Sequence, residues 1–185
     1  MSYSSVCVVG LGYIGLPTAA VLASRKKKVI GVDINQDTVD IINSGNVHIV
    51  EPGLENMVKE AVKNGFLRAV TSPEPADAFL IAVPTPFLKN TSKYSVPKPD
   101  ISYIESASRA VAKVLKKGDI VILESTSPVG ATEDIIKLMK SERPELTFPD
   151  FDSNDLQPDI SVAHCPERVL PGQVIRELTE NARII

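Results

Sequence analysis

Three glycines near the start of the chain have the spacing G-x-G-x-x-G. Gly10, Gly12 and Gly15 follow a short apolar run and open a stretch with helical spacing. In such a turn the first glycine allows a tight reversal from strand to helix, the second leaves room for a pyrophosphate, and the third lets the helix pack close to the strand. The N-terminus of the helix offers unpaired N–H groups and a partial positive charge to phosphates. The motif therefore predicts a dinucleotide-binding turn.

One acidic residue stands where the ribose of a dinucleotide would lie. Asp33 ends the second apolar run, 18 residues after Gly15, close to the spacing of about 20 residues that such turns have. A carboxylate there accepts hydrogen bonds from both hydroxyls of the adenosine ribose and repels a 2′-phosphate, which favours NAD over NADP. The alternative, a glycine turn without a ligand beside a surface aspartate, stays open at this point.

The composition argues against several other kinds of function. The chain has 185 residues and a net charge of −3, which fits one sizeable domain and not an electrostatic nucleic-acid binder. No apolar run approaches the roughly 18 residues of a membrane helix. No secretion signal opens the chain, so we expect a cytoplasmic protein. His48 and His164 have no partners at ligand spacing, and no metal site is predicted.

Strand and helix patterns alternate along the chain. We predict strands at residues 5–10, 28–34, 67–72, 77–83, 119–126 and 159–166. We predict helices at residues 13–25, 35–45, 53–65, 101–118, 130–142 and 172–181. Because each strand is apolar throughout, the order predicts a doubly wound, mostly parallel α/β sheet of the Rossmann type. Two long loops, residues 83–100 and 142–159, favour a functional role.

Five motifs narrow the prediction beyond a dinucleotide-binding domain. They are GLGYIGLP at residues 10–17, EPGL at 51–54, AVPTPF at 82–87, ESTSPVGATE at 124–133 and CPERVLPG at 165–172. In this order, and across essentially all of the chain, they resemble the UDP-glucose/GDP-mannose dehydrogenase family. ESTSPVG and CPERVLPG are most similar to the UDP-N-acetyl-D-mannosamine branch, whereas the UDP-glucose branch typically has Phe-Leu where this chain has Arg168 and Val169.

The resemblance implies a particular oxidation. The family converts the C6 alcohol of a nucleotide sugar to a carboxylate with two NAD+, through a thiohemiacetal and a thioester on a cysteine. For this chain it implies a UDP-sugar substrate, with UDP-N-acetyl-D-mannosaminuronate as the product, and a homodimer when the protein is full length. UDP-glucose, UDP-N-acetylglucosamine and UDP-N-acetylgalactosamine stay open as substrates.

The resemblance also assigns residues to the cofactor. The family's pyrophosphate turn corresponds to Gly10, Gly12, Tyr13, Ile14 and Gly15, and its ribose acid corresponds to Asp33. Thr85 matches a threonine lying against the cofactor, and Thr126 matches one near the nicotinamide and the reacting carbon. Both threonines lie where predicted strands end and loops begin, the place at which open parallel sheets bind ligands. Their alternative role is loop capping.

The last motif, CPERVLPG, contains the residues that the resemblance assigns to the substrate. Glu167 matches a glutamate for water activation or proton transfer, so Thr126 and Glu167 are the catalytic candidates. Arg168 and Val169 match positions that touch the nucleotide sugar. A salt bridge to a nearby arginine is the alternative for Glu167. Glu51 has two interpretations, either positioning a loop near the active site or entering a helix.

The family's nucleophile has no counterpart here. It is a cysteine in a glycine-rich loop well downstream, and a lysine and an asparagine lie on the connecting helix. Cys7 is inside the first predicted strand, and the family motif gives Cys165 no such role. We therefore interpret residues 1–185 as the NAD-binding domain of a longer enzyme, lacking its central dimerisation helix and its C-terminal UDP-sugar-binding domain. A stand-alone NAD-binding module is the alternative from another class.

Overall fold

The computed structural model of the chain describes residues 3–88, 97–150, 157–166 and 168–181. Its strands are β1 (Ser5–Val9), β2 (Lys28–Val32), β3 (Leu67–Val70), β4 (Ala78–Ile81), β5 (Ile120–Leu123) and β6 (Ser161–His164). Its helices are α1 (Gly15–Ser24), α2 (Gln36–Asn43), α3 (Leu54–Lys63), α4 (Ser102–Ala112), α5 (Ala131–Glu142) and α6 (Val174–Glu180).

The described strands form one parallel sheet in the order β3-β2-β1-β4-β5-β6. This confirms the predicted doubly wound Rossmann-type α/β fold. The chain moves outward from β1 to β3 and then returns to β4 on the other side of β1. Loops that leave the carboxyl ends of β1 and β4 therefore diverge, which opens the crevice where such sheets bind ligands.

Apolar side chains cover both faces of the sheet. Successive residues of a strand point to opposite faces, so Cys7 and Val9 pack in the core beneath α4 and α5. Val6 and Val8 pack in the core beneath α1, α2 and α3. Phe79 of β4 is fully buried in the first of these cores. The rigid sheet between the two cores fixes where each strand-end loop begins.

Local signals set the helix boundaries, with one departure from the sequence prediction. The Asn35 side chain accepts a hydrogen bond from the Asp37 N–H at 2.9 Å, so the predicted cap starts α2. The helix predicted over residues 101–118 was too long, because α4 ends at Ala112. Past that point, Asp119 accepts the Lys116 N–H at 2.9 Å and forms a turn before β5.

One part of the sheet is less covered than the rest. Leu80 and Ile122, on adjacent positions of β4 and β5, are only half buried on the α1 side. A cavity of about 720 Å³ lies over them, bounded by α1 and by Leu178 of α6.

Candidate functional site

A cleft of about 1180 Å³ lies at the carboxyl ends of the strands, across the point where the strand order reverses. Its walls come from the loops after β1, β2, β3, β4 and β5 and from one face of α4. The predicted cofactor residues that line it are Gly10, Gly12, Tyr13, Ile14, Asp33, Thr85 and Thr126. Gly15 is buried at the start of α1, behind the turn.

The three glycines of the turn meet different surroundings. A Cβ on Gly15 would overlap the Gly10 carbonyl oxygen, and a Cβ on Gly10 would lie 2.7 Å from the Ala82 carbonyl oxygen. Gly12 has no atom within 4 Å of its Cβ position, and its φ lies outside the left-handed region. The first and third glycines therefore serve the packing of the protein, while the second leaves space on the cleft side. That space fits the close approach of a pyrophosphate.

The backbone N–H groups of this turn also favour the binding of a phosphate. Gly12 and Ile14 carbonyls accept from the N–H groups of Leu16 and Thr18 at 3.1 and 3.0 Å, which makes this turn the entry to α1. In the described part of the chain, no hydrogen bond uses the N–H groups of Gly12, Tyr13 and Ile14. Unpaired donors at a helix N-terminus form a site for anions, phosphate included.

The Asp33 carboxylate is fixed at the edge of the cleft. Its Oδ2 accepts the Leu11 N–H at 3.2 Å, and its Oδ1 accepts the Asn35 N–H at 3.0 Å. Each carboxylate oxygen has two acceptor sites, so one site per oxygen remains for a pair of ribose hydroxyls. The next residue, Ile34, is 91% exposed and offers no positive charge to a 2′-phosphate.

The two candidate threonines are joined by a hydrogen bond. Thr85 Oγ1 donates to the Thr126 carbonyl oxygen at 2.6 Å. Behind them, Ser125 Oγ donates to the Val83 carbonyl oxygen at 2.7 Å. These bonds tie the loop after β4 to the loop after β5, and they leave the Thr126 side chain exposed in the cleft.

The structure adds cleft residues that the sequence prediction missed. Glu124 is 1% exposed and lines the cleft two residues before Thr126. The loop after β3 and one face of α4 form the far wall. Their cleft residues are Thr71, Ser72, Pro73, Ser102, Tyr103, Ser106, Ala107 and Ala110. The helical spacing of the last five is a signal that could have identified this face from sequence.

The substrate candidates belong to the segment of the chain that follows β6. Arg168 and Val169 occupy the turn between β6 and α6 and are not among the described residues that line the cleft. Glu167, the predicted proton-transfer residue, lies outside the described residues. The structure thus brings together the cofactor candidates but gives no geometry for the Thr126–Glu167 pair.

The helix-entry interpretation of Glu51 is confirmed, whereas the positioning of a loop near the active site stays a prediction. Helix α3 begins three residues after it, with Gly53 at the cap in the left-handed conformation. Its own side chain, 7% exposed, turns instead to the β6–α6 segment and accepts the N–H groups of Gly172 and Val174, both at 2.8 Å.

Neither cysteine lies in a setting that favours nucleophilic attack. Burial in β1 raises the pKa of the Cys7 thiol to about 12, so Cys7 stays protonated and acts as a small core residue. Cys165 is 4% exposed, and its N–H donates to the Leu123 carbonyl oxygen at 2.9 Å. Neither is among the described residues that line the cleft.

The described residues contain no group of three or more His, Cys, Asp or Glu side chains placed to hold a metal ion. None of their helices has the length and apolar character needed to cross a membrane.

Comparison with known proteins narrows the identity of the domain. Over residues 4–185 the chain matches the model of the UDP-glucose/GDP-mannose dehydrogenase family, NAD binding domain. It is 63% identical over 183 residues to UDP-N-acetyl-D-mannosamine dehydrogenase from Campylobacter jejuni, covering 99% of this chain and 43% of that protein. It is 62% identical to NDP-N-acetyl-D-galactosaminuronic acid dehydrogenase from Ralstonia nicotianae, covering all of this chain and 42% of that protein.

A solved structure agrees with these relatives. The UDP-N-acetyl-mannosamine dehydrogenase of S. aureus superposes with a TM-score of 0.85 at 42% identity, over 97% of this chain and 40% of that one. The chain thus spans less than half the length of the relatives that it matches. The match over almost the whole chain, the parallel sheet and the glycine turn lead to one conclusion. This chain belongs to the UDP-glucose/GDP-mannose dehydrogenase family and is an NAD-binding domain of that family.

Proposed function

We propose that this chain is the cofactor-binding part of an enzyme that oxidises UDP-N-acetyl-D-mannosamine to UDP-N-acetyl-D-mannosaminuronate with two NAD+. The observation that carries the cofactor side is the space and the unused N–H groups at Gly12, Tyr13 and Ile14, beside the fixed carboxylate of Asp33. The substrate side rests on similarity to relatives that bear this name.

Each part of the cleft has a role in this proposal. The N–H groups of residues 12–14 bind the pyrophosphate, and Asp33 accepts from the ribose hydroxyls. The adenine lies against the apolar wall that Ile34, Tyr103 and Ala107 provide. When bound, NAD+ supplies the hydride acceptor for each of the two oxidation steps.

The remaining residues handle the sugar. Thr126 lies in the loop that Thr85 ties down, and its hydroxyl orients the reacting C6 group by a hydrogen bond. Glu167 moves protons at that group, and Arg168 and Val169 contact the nucleotide sugar. The full-length protein acts as a cytoplasmic homodimer, and neither nucleic acid nor a membrane takes part.

An N-acetylgalactosamine nucleotide is the second candidate substrate. The relative from R. nicotianae, named for N-acetyl-D-galactosaminuronic acid, is 62% identical to this chain, against 63% for the C. jejuni relative. Both names contain an N-acetylated amino sugar, which supports this class of sugar as the substrate, and they differ in the configuration of the sugar ring.

The test is a substrate panel with the protein as its gene encodes it in full. NADH formation is followed with UDP-N-acetylmannosamine, UDP-N-acetylgalactosamine, UDP-N-acetylglucosamine and UDP-glucose. We expect two NADH per sugar and the highest kcat/KM with UDP-N-acetylmannosamine. A higher kcat/KM with another sugar would change the proposed substrate but would leave the proposed reaction unchanged. NADH binding without turnover of any sugar would support a stand-alone binding module instead.

The role of Thr126 is tested in the same assay. Thr126→Val removes the hydroxyl but keeps the shape of the side chain, and we expect kcat to fall about 100-fold, the lower end of what one lost transition-state hydrogen bond costs. NADH affinity should change little. Thr126→Ser restores the hydroxyl and should recover most of kcat. Equal loss in the valine and serine variants would contradict a hydroxyl role.

A further inference from the structure

The turn between β6 and α6 is held by a carboxylate from a distant part of the chain. Glu51 Oε2 accepts the Gly172 N–H and Oε1 accepts the Val174 N–H, each at 2.8 Å. These residues are 121 and 123 positions after Glu51. Both oxygens of the buried carboxylate are therefore engaged with the backbone of this one turn.

The same turn has further anchors from its own helix. Glu177 Oε2 accepts the Leu170 N–H at 2.7 Å, and the Gln173 N–H donates to the Leu170 carbonyl oxygen at 3.0 Å. Asn181 Nδ2 donates to the Arg168 carbonyl oxygen at 3.4 Å. The backbone of residues 168–174, which we call the sugar turn, is thus fixed at several points.

The side chains of the sugar turn are presented outward. Arg168 and Leu170 are exposed, and Val169 is half buried, although the backbone beneath them is tied down. A turn that served only to start α6 would need its first N–H groups capped. The Glu51 bonds do this for Val174, but they also fix Gly172, two residues before the helix begins.

We propose that Glu51 is the positioning residue of the sugar turn and sets where Arg168 and Val169 meet the nucleotide sugar. This inference rests on the proposed function, because that function makes Arg168 and Val169 sugar contacts. Glu51 itself touches neither sugar nor cofactor. It acts through the backbone, by fixing the turn against the loop before α3.

A carboxylate is needed for this task because it presents two acceptors. A glutamine has one carbonyl oxygen, and its amide group would face the second N–H donor to donor. Glu51→Gln should therefore release one of the two amides and loosen the turn without removing the side chain. Hydrogen bonds to a charged group are stronger than neutral ones, so the remaining bond is weakened too.

The experiment compares Glu51→Gln with Glu55→Gln in the protein as its gene encodes it in full. Glu55 is exposed on the first turn of α3, so the control removes the same charge four residues away. We expect Glu51→Gln to raise KM for UDP-N-acetylmannosamine about tenfold, with the KM for NAD+ and the NADH affinity unchanged within about twofold. The control should match the wild type in every respect.

A purely structural role for Glu51 predicts a different pattern. Glu51→Gln would then lower Tm while leaving the sugar kcat/KM at the wild-type value, and that result overturns the inference. If Glu51→Gln does not fold, Val174→Pro removes one of the two donors from the other side, at a helix position where proline is favoured. It should raise the sugar KM about threefold, and no change would overturn the inference.

The proposed function and the role of Glu51 are overturned by different results. A wild-type protein that oxidises none of the nucleotide sugars overturns the proposed function and this inference with it. An active wild type with an unaffected Glu51→Gln variant overturns the inference alone.

Discussion

The glycine turn and the sugar turn both consist of loop backbone at the carboxyl end of a strand, but they use their N–H groups in opposite ways. In the described part of the chain, no hydrogen bond uses the N–H groups of Gly12, Tyr13 and Ile14, and all three residues line the cleft. The N–H groups of Leu170, Gly172 and Val174 are occupied by the carboxylates of Glu177 and Glu51.

The contrast separates two ways of building a site. At the glycine turn the backbone itself is the binding group, so its donors must stay available and its side chains must be absent. At the sugar turn the proposed binding groups are side chains. The backbone donors can therefore form the hydrogen bonds that fix the turn. An unmade hydrogen bond on a buried group costs about 1–3 kcal/mol, which is why the N–H group of the buried Val174 needs the Glu51 carboxylate.

Gly12→Val gives the largest expected effect, because it fills the open space at the glycine turn. Nothing in the protein lies within 4 Å of the new Cβ, so we expect Tm to change little. NADH affinity should fall at least about 100-fold, or ~2.7 kcal/mol, in a fluorescence titration. Gly15→Ala is the matched contrast, because its Cβ overlaps the Gly10 carbonyl oxygen, and it should lose the fold as well. NADH binding at wild-type affinity in Gly12→Val would refute the role of this turn.

Asp33→Asn sharpens the account of cofactor choice, with a smaller effect. Removing the charge removes the repulsion of a 2′-phosphate, so the preference for NADH over NADPH should shrink about tenfold, or ~1.4 kcal/mol. Asp40→Asn makes the same charge change on the exposed side of α2, outside the cleft, and should leave the preference unchanged. An unaltered preference in Asp33→Asn would show that another group selects the cofactor.

Near the start of β1, a third carboxylate accepts backbone N–H groups, as Glu51 and Glu177 do in the sugar turn. Its substitution has the smallest expected effect. Asp77 Oδ2 accepts the N–H and hydroxyl groups of Ser5 and Ser4 at 2.8–3.0 Å. These bonds, first of all that from the Ser5 N–H, hold the pKa of Asp77 well below its usual range. Asp77→Asn should lower the free energy of unfolding at neutral pH by about 1 kcal/mol, measured by urea denaturation, and Asp40→Asn by less than about 0.5 kcal/mol.

The pH dependence of this effect has a definite sign. The folded state lowers the pKa, so the stabilisation by Asp77 is complete above the pKa of an unfolded aspartate, about 3.9. It is lost as the pH falls below that value. The difference in stability between wild type and Asp77→Asn should therefore shrink as the pH is lowered below about 4. A difference that stays constant down to acid unfolding would contradict this assignment.

The sequence predicted the two turns unequally, and their construction explains why. The glycine turn and Asp33 lie within 24 residues of each other, so their spacing reflects the chemistry of one ligand directly. The order of strands and helices was predicted for the same reason, because apolar runs and caps such as Asn35 act locally. The role of Glu51 could not be decided, since its partners are more than 120 residues away.

Two other differences between the sequence prediction and the structure arise from contacts that apolar spacing alone does not show. The end of α4 depends on Asp119 and on the packing of the following turn, whereas the apolar spacing alone continued to residue 118. The spacing of Tyr103 and Ser106 marks one face of α4, but it is the sheet that places this face beside the loops after β1 and β4.

The most direct test of the central claim is a titration of the 185-residue chain with NADH and, in parallel, with NADPH, followed by fluorescence. We predict saturable binding of NADH and at least tenfold weaker binding of NADPH, or ~1.4 kcal/mol. NADPH binding as tight as NADH binding, or binding of neither, would contradict the account of the glycine turn and Asp33.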